Sequence, residues 1–403
     1  MNVADDMRGV AAEFFAGMGL VRMALESCAS PYRVAYANDI DPTKARLYRA
    51  MFPGDDHFDQ RDIAEVCAAD IPPAELWTAS FPCTDLSLAG GRAGIRGGQS
   101  GAVWEFLRLI RETSANRKPR LLLFENVVGL LSSRGGEDFR TFVEALNELE
   151  YGVDVMRINA NHFAPQSRPR LFLLATSLHD AMAPERADPA LLTPTDIRPR
   201  MVIDAMRQAP NAQWHVRECQ PLPQRTTTLE DIIESLPPDD ARWWPRERAE
   251  YFRAQIHPNH IERANALQEH SRISHITAFR RVRAFDGVKR SVAELRFDGV
   301  AGCLRTPKGG SAKQILVELG HGEMRVRHLT AVECMRLQGV HSSRPTNATE
   351  DEMLFALGDA VCVPAARWAI EQFNQSGAPS TIFTLDEAPM RSAPASNIAI
   401  ASS

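Results

Sequence analysis

The sequence predicts an α/β protein: a doubly wound, mostly parallel sheet with a second, smaller domain of mixed type. Three observations lead there. Strand-like and helix-like segments alternate through the first 180 residues, the pattern of a parallel sheet covered by helices. A proline-rich break follows near residue 181, and after further helical stretches short strand-like segments succeed one another directly. Amphipathic helix then returns from about residue 328.

Taken in order, RGVAAEFFAG reads as a strand running into a tight turn, LVRMALESC as a short amphipathic helix and YRVAYANDID as a second strand. DPTKARLYRAMF is helical, AELWTASFPC a strand and SGAVWEFLRLIRETSAN a helix. LLLFENV is a strand, EDFRTFVEALNELE a helix, and YGVDVMRINA and RLFLLAT are strands. AMAPERADPALLTPTDIRPR is a linker by composition. TLEDIIESL and the stretches around 241–270 look helical, whereas ITAFRRVRAF, VKRSVAELRF and ILVELG alternate like antiparallel strands. The last segment, rich in Ala, Ser and Pro, is expected to be disordered.

Composition narrows the class. The 403 residues are 44% hydrophobic and 24% charged, as in a soluble protein with room for two domains. The opening MNVADDMRGV lacks a basic-then-apolar signal pattern, and no apolar run is long enough to cross a membrane. The expectation is a cytoplasmic protein without membrane partners. Seven cysteines are scattered, with no C-x-x-C pair, which argues against both a zinc site and a disulfide framework; no metal is expected. The net charge is -5, yet residues 241–336 carry eighteen Lys and Arg against ten Asp and Glu. A basic segment on an otherwise acidic chain suits a polyanion, or is simply a solvated surface.

Four stretches carry candidate chemistry. Phe14-Phe15-Ala16-Gly17-Met18-Gly19 follows the first strand, where glycines allow a sharp turn and close approach of a ligand. Asp39, with Ile40, closes the second strand, and Asp62-Ile63 closes what reads as a third. Carboxylates at successive strand ends suit the hydroxyls and amino group of an adenosine-type cofactor in the crevice at the carboxyl ends of the strands. Pro82-Cys83 ends the AELWTASFPC strand ahead of a loop with Ser87, Arg92, Arg96 and glycines at 90, 91, 94, 97, 98 and 101. Cys83 is there either a buried structural thiol or a nucleophile activated by a nearby cation, with a pliable lid behind it. Glu125-Asn126 ends the LLLF strand, placing a carboxylate where it can act as acid or base. Gln166-Ser167-Arg168-Pro169-Arg170, if extended, sends Arg168 and Arg170 to the same side, and paired guanidinium groups suit a carboxylate, phosphate or carbonyl.

Together and in this order, FAGMG, FPCTDLS, ENV and PQSRPR closely resemble the motifs of the C5-cytosine DNA methyltransferases, which use S-adenosylmethionine. The resemblance runs from Phe14 to about Ala175 and resumes from about Gly302 to Phe373. It implies a Rossmann-like methyltransferase sheet with Phe15, Gly17 and Gly19 in the cofactor loop. It places Asp39 and Ile40 on the ribose side, Asp62 and Ile63 at the adenine, and Pro82 beside the cofactor. Cys83 would be the nucleophile, Glu125 would contact the cytosine ring, and Arg168 and Arg170 would line the flipped base, with Arg168 on its carbonyl. Asn126, Ser87 and Gln166 would support the site.

Gly302-Cys303-Leu304-Arg305-Thr306-Pro307-Lys308-Gly309-Gly310 resembles the loop that enters the major groove, with Arg305, Lys308, Gly309 and Gly310, beside Arg92 and Arg96, as DNA-contacting candidates. Arg327-His328-Leu329-Thr330 with Glu333 resembles the motif that organises the recognition domain. Gly358-Asp359-Ala360-Val361 resembles the closing motif beside the cofactor, with Asp359 and Ala360 as contacts, although the family usually has asparagine at the position of Asp359. The domains expected are a catalytic one over 1–180 plus 326–375, a target-recognition domain over 181–325, and a disordered tail over 376–403. The resemblance implies a monomer that methylates C5 of cytosine in double-stranded DNA, with S-adenosylhomocysteine as product and a cognate restriction endonuclease or defence protein as partner. The same chemistry on transfer RNA, or a non-catalytic DNA-binding regulator, are the alternatives.

Overall fold

The computed structural model describes residues 9–81, 101–179, 185–186, 192–285, 287–307, 313–342, 344–345, 347–374 and 380–385. All five residues of the first strand, β1 (Val10–Phe14), are buried, as a strand covered on both faces requires. β2 (Arg33–Asn38) and β4 (Leu76–Ala79) flank it in parallel. β3 (Phe58–Asp59) extends the sheet beyond β2, and β5 (Leu121–Val127) extends it beyond β4. β7 (Pro169–Ser177) then runs antiparallel between β5 and β6 (Tyr151–Asn159). The order β3-β2-β1-β4-β5-β7-β6 is that of a doubly wound sheet. Its chain reverses direction of build between β1 and β4, the switch point where such sheets bind ligands.

Local chemistry sets the element boundaries on which the site depends. The helix Pro42–Met51 starts where Asp41 accepts hydrogen bonds from the main-chain nitrogens of Thr43 and Lys44, with Pro42 in the first turn. The helix Leu20–Glu26 starts at Gly19, which lies at φ 87. A Cβ at Gly19 would stand 2.3 Å from the Phe52 ring and 3.0 Å from Tyr48, so both conformation and packing require glycine there.

Two large cores cover the faces of this sheet. One is built around Phe14, Trp77, Phe106, Phe124 and Phe142. The other is built on Leu25, Leu47, Leu123 and Phe172 with the C-terminal helices Ala331–Leu337, Glu350–Asp359 and Val363–Glu371. A second sheet has the order β11-β10-β12-β13, antiparallel throughout: β10 (Ser274–Phe285), β11 (Val288–Arg296), β12 (Ile315–Gly320) and β13 (Glu323–His328). Its own core includes Trp244, Phe252, Ile276, Leu295 and Val317.

The expected domain limits need adjustment at three places. β9 (Trp214–Arg217) pairs with β6, and the helix Arg200–Arg207 packs on the main core, so residues 192–217 belong with the large sheet and not with the small one. β13 stays in the small sheet, so the return to the large-sheet body falls after His328 and not at residue 326. The tail expected to be disordered supplies β14 (Ser380–Thr384), antiparallel to β9, with Phe383 fully buried. β8 (Glu185–Arg186) pairs beside it at the sheet edge.

Candidate active site

A cleft of about 640 Å³ opens at the carboxyl ends of β1, β2, β4 and β5. Phe15, Gly17, Asp39, Ile40, Asp62, Ile63, Phe81, Glu125, Asn126, Arg168, Arg170, Asp359 and Ala360 all line it. Residues spread over most of the chain thus meet in one place. Pro82, Cys83, Ser87, Arg92, Arg96, Lys308, Gly309 and Gly310 lie outside the described residues.

One half of the cleft is suited to an adenosine. Asp39 accepts from the Gly17 main-chain nitrogen at 2.8 Å and from that of Asp41 at 2.9 Å, tying the glycine turn to the end of β2. Burial raises the Asp39 carboxyl above its ordinary range, opposed by the Asp41 amide, Lys44 and the Gly17 amide. Phe15 adopts φ 55, unusual for a non-glycine residue, and its strain sits at the cleft wall. Ile40 is 60% exposed although large and apolar, and so offers an uncovered apolar surface at the cleft rim. Asp62 does not close a strand as expected. β3 ends at Asp59, and Asp62 caps the following short 3-10 turn, accepting from the Ala64 nitrogen at 3.0 Å. It reaches the cleft from that turn.

The other half is built at the end of β5. Asn126 donates from Nδ2 to the Phe81 carbonyl at 3.0 Å, fixing the main chain immediately before Pro82. Glu125 is 8% exposed and lies 3.0 Å from Arg170 Nε, through its Oε1. The N–H is not aligned for a hydrogen bond, so this Oε1 has a charge partner but no donor. A buried carboxylate oxygen in that condition is open to a ligand's N–H or O–H.

The arginine pair divides. Arg168 is 2% exposed. Its Nη1 donates to the Leu304 carbonyl at 2.8 Å, and its Nη2 to the carbonyls of Ala360 at 2.6 Å and Gly358 at 3.2 Å. Its terminal donors are thus taken by main chain, and it clamps three segments together, while its Nε has no hydrogen-bond partner. Arg170 is the one paired with Glu125. Burial and the neighbouring Arg170 hold the Arg168 guanidinium below its usual pKa. Gln166, fully buried, donates to the Leu337 carbonyl at 2.9 Å and accepts from the Leu304 nitrogen at 3.3 Å. The stretch 165–168 therefore seats the base of the 302–307 loop.

Three groups escaped the sequence. Lys44 Nζ lies 3.1 Å from Asp359 Oδ2, and the Thr306 hydroxyl donates to the other oxygen of Asp359. An aspartate at this position is thus satisfied by a lysine brought from the second helix, 315 residues away in sequence. A Cβ on Gly358 would stand 2.2 Å from the Thr306 nitrogen, so the 358–360 wall of the cleft and the 302–307 loop are in direct contact. The third group is Glu13 on β1, fully buried among apolar neighbours of the sheet. Burial pushes its pKa up to about 8, against the opposing pull of Arg22.

Glu13 gives a pH prediction. The folded chain holds this proton up to about pH 8, whereas the unfolded chain releases it near the ordinary carboxyl value of about 4.3. Between those values the native state binds more protons, so its stability falls as pH rises and levels off above the folded pKa. Glu13→Gln is expected to raise the melting temperature at pH 9 relative to wild type and to change it little at pH 5. Equal shifts at both pH values would contradict this account of Glu13.

The sheet order and the cleft at its switch point, walled by carboxylates, define a doubly wound α/β protein with a ligand-sized cleft. A model of the C-5 cytosine-specific DNA methylase family matches residues 10–375, and the chain belongs to that family. The type II methyltransferase M.Bsp6I of Bacillus sp. is 31% identical over 166 residues, covering 40% of this chain and 50% of that protein. M.HhaI of Haemophilus parahaemolyticus is 29% identical over 163 residues, 40% of this chain and 47% of that protein. The chain spans about half the length of these relatives. The structure of the S. pombe Dnmt2 methyltransferase superposes over 90% of this chain and 96% of that one at TM-score 0.55 and 18% identity. A mutant of Spodoptera frugiperda DNMT2 covers 91% and 99% at TM-score 0.59 and 14% identity. These two likenesses concern the fold.

Proposed function

We propose that this chain is a DNA (cytosine-5-)-methyltransferase that acts as a monomer on a flipped cytosine in double-stranded DNA. The observation that carries the reading is the pairing of Glu125 with Arg170 beside the Asn126-anchored turn, in the same cleft as Asp39 and the glycine loop. The cleft fits S-adenosylmethionine: carboxylates stand ready for ribose hydroxyls and an adenine amino group, and Ile40 and Phe15 offer apolar surface to the ring. Asp39 with Ile40, Asp62 with Ile63, the Phe15–Gly19 loop and the Asp359-Ala360 segment would hold it. When bound, it supplies an electrophilic methyl group.

The remaining chemistry falls to side chains of the protein. Cytosine C5 is a weak nucleophile, so Cys83 first bonds through Sγ to C6, which makes C5 electron-rich. Glu125 holds a proton at ring N3 and offsets the negative charge that develops there. Arg170, already beside Glu125, donates to the carbonyl O2. Loss of the C5 proton then allows Sγ to leave. The base must first leave the duplex, at a cost of a few kcal/mol. The four-stranded unit would read the DNA sequence, with Arg305 at its loop. The setting proposed is a cytoplasmic restriction-modification or phage modification system.

The test is transfer of labelled methyl from S-adenosylmethionine to duplex DNA and, separately, to transfer RNA. Label in DNA, located at cytosine C5 by bisulfite sequencing, is the expected result. Label in RNA alone would assign the same chemistry to transfer RNA, and no transfer to either would favour a regulatory role.

A further inference from the structure

The small sheet is not evenly built. β10 pairs with β12 only as far as Ala278, opposite Ile315. Its pairing with β11 continues seven residues further, to Phe285 opposite Val288. Beyond Ala278 the two strands therefore leave the sheet as a two-stranded ribbon, roughly 20 Å long at the usual rise per residue. The ribbon projects from the end of the sheet at which β12 begins. Gln314 sits at that same end, accepting from the Gly302 nitrogen at 3.1 Å. The 302–307 loop, bound to Arg168 and Asp359, starts there. The overhang and the loop that meets the cleft thus share one end of the recognition unit.

The charge on this ribbon is concentrated and poorly compensated. Residues 279–294 carry five Lys and Arg and two Asp and Glu in a chain whose net charge is -5. Glu294 serves two of the cations, with Arg283 Nε at 2.8 Å and Arg281 Nε at 3.6 Å. Arg283 stands directly opposite Arg290 in the antiparallel register. Like charges in that relation disfavour the pairing; Glu294 offsets Arg283, which leaves Arg290 of the two, among the described residues, as the cation an anion would pair. Lys289 lies on the other face, opposite Ala284. Beside it, Val282 is 68% exposed and faces the small Ser291, so that face is shallow. At the root, Arg280 lies 5.6 Å from the Trp244 ring and 5.7 Å from that of Phe252, fastening the ribbon to the core beneath.

A long polyanion with regularly spaced phosphates is the ligand that such a ribbon fits, and a two-stranded ribbon is of a width that a DNA groove admits. Resting on the reading of the cleft as a DNA methyltransferase site, we infer that the β10–β11 overhang is a phosphate clamp. In it Arg283, Lys289 and Arg290 grip the backbone of the duplex beside the target base. The grip positions the recognition loop and carries no sequence preference of its own.

Salt dependence tests this. Binding of the full chain to a duplex oligonucleotide is measured by fluorescence anisotropy between 50 and 200 mM salt. Each phosphate contact contributes about 0.9 to the slope of log K against log salt. The triple variant R283A/K289A/R290A is expected to lose about 2 to 3 from that slope while retaining wild-type melting temperature and affinity for S-adenosylhomocysteine. R283K/R290K, which keeps the charge but not the fork of donors, is expected to restore it. An unchanged slope in the triple variant overturns the clamp, even if the wild type methylates DNA. Failure of the lysine variant to restore binding, with a changed sequence preference, overturns it in favour of base reading. A wild type that binds transfer RNA and not duplex DNA overturns the clamp together with the DNA reading.

Discussion

Replacing Cys83 by alanine is expected to lower methyl transfer by on the order of 10^4-fold or more, the scale seen when a covalent nucleophile is removed. Cofactor and DNA binding are expected to remain. The reason lies in the substrate. C5 of cytosine does not attack a methyl sulfonium at a useful rate until a nucleophile is added at C6, and no described side chain lining the cleft is a nucleophile as strong as a thiolate. An ordinary thiol is only a few per cent ionised at neutral pH, so the site must favour the thiolate. Arg168 and Arg170 place two guanidinium groups in the wall of the same cleft. The main chain leading to the cysteine is held by Asn126 through the Phe81 carbonyl. The adduct can be read directly. A duplex with 5-fluorocytosine at the target has no C5 proton to lose, so the wild type should form a complex stable to denaturing gel electrophoresis and Cys83→Ala none. Normal turnover by the alanine variant would remove the covalent step from the mechanism.

How much of this was legible in the sequence depends on how local the signal is. The glycine turn after β1, the carboxylate after β2 and the Glu-Asn pair at the end of β5 are each encoded within a few neighbouring residues, and the structure brings them into one cleft. Strands β10, β11 and β12 of the small sheet were legible because their alternation is regular, whereas β13 was not. Contacts between distant segments were not. The Lys44–Asp359 pair spans 315 residues, and nothing about a lysine in the first turn of a helix marks it as the partner of a carboxylate near the C-terminus. Arg168 and Arg170 have the spacing of a pair, but spacing fixes only the side from which they leave the chain. Which one meets Glu125 is decided by the carbonyls of Leu304, Gly358 and Ala360, which take the donors of the first. β14 was hidden in another way. Its flanks of Ala, Ser and Pro dominate the composition of the tail, while the short run Ser380–Thr384 has the β-branched and aromatic residues of a strand and an open edge at β9 to pair with.

The second large effect is expected on stability, at the joint between the two sheets. Arg327 on β13 and Glu333 on the helix Ala331–Leu337 are both fully buried, with Nη1 to Oε2 at 2.7 Å and Nη2 to Oε1 at 2.5 Å. Glu333 also accepts from the main-chain nitrogens of Thr330 and Glu234, each at 2.8 Å. The guanidinium lies over Trp243 at 5.1 Å and donates to the His328 carbonyl at 3.1 Å. One ion pair thus ties the last strand of the small sheet, the segment around residue 234 and a helix packed on the large sheet. Arg327→Met keeps most of the side-chain volume but leaves Glu333 charged, buried and without its cation, so a loss of about 3–5 kcal/mol in unfolding free energy is expected. Removing both charges together, as R327M/E333Q, is expected to recover much of that loss, because the penalty comes from the unpaired charge more than from the missing attraction. Urea titration of the wild type, both single variants and the double variant closes the cycle. Additive losses would show that the two residues act independently, and a loss in Arg327→Met below about 1 kcal/mol, the scale of an exposed pair, would show that the joint is held by its apolar neighbours.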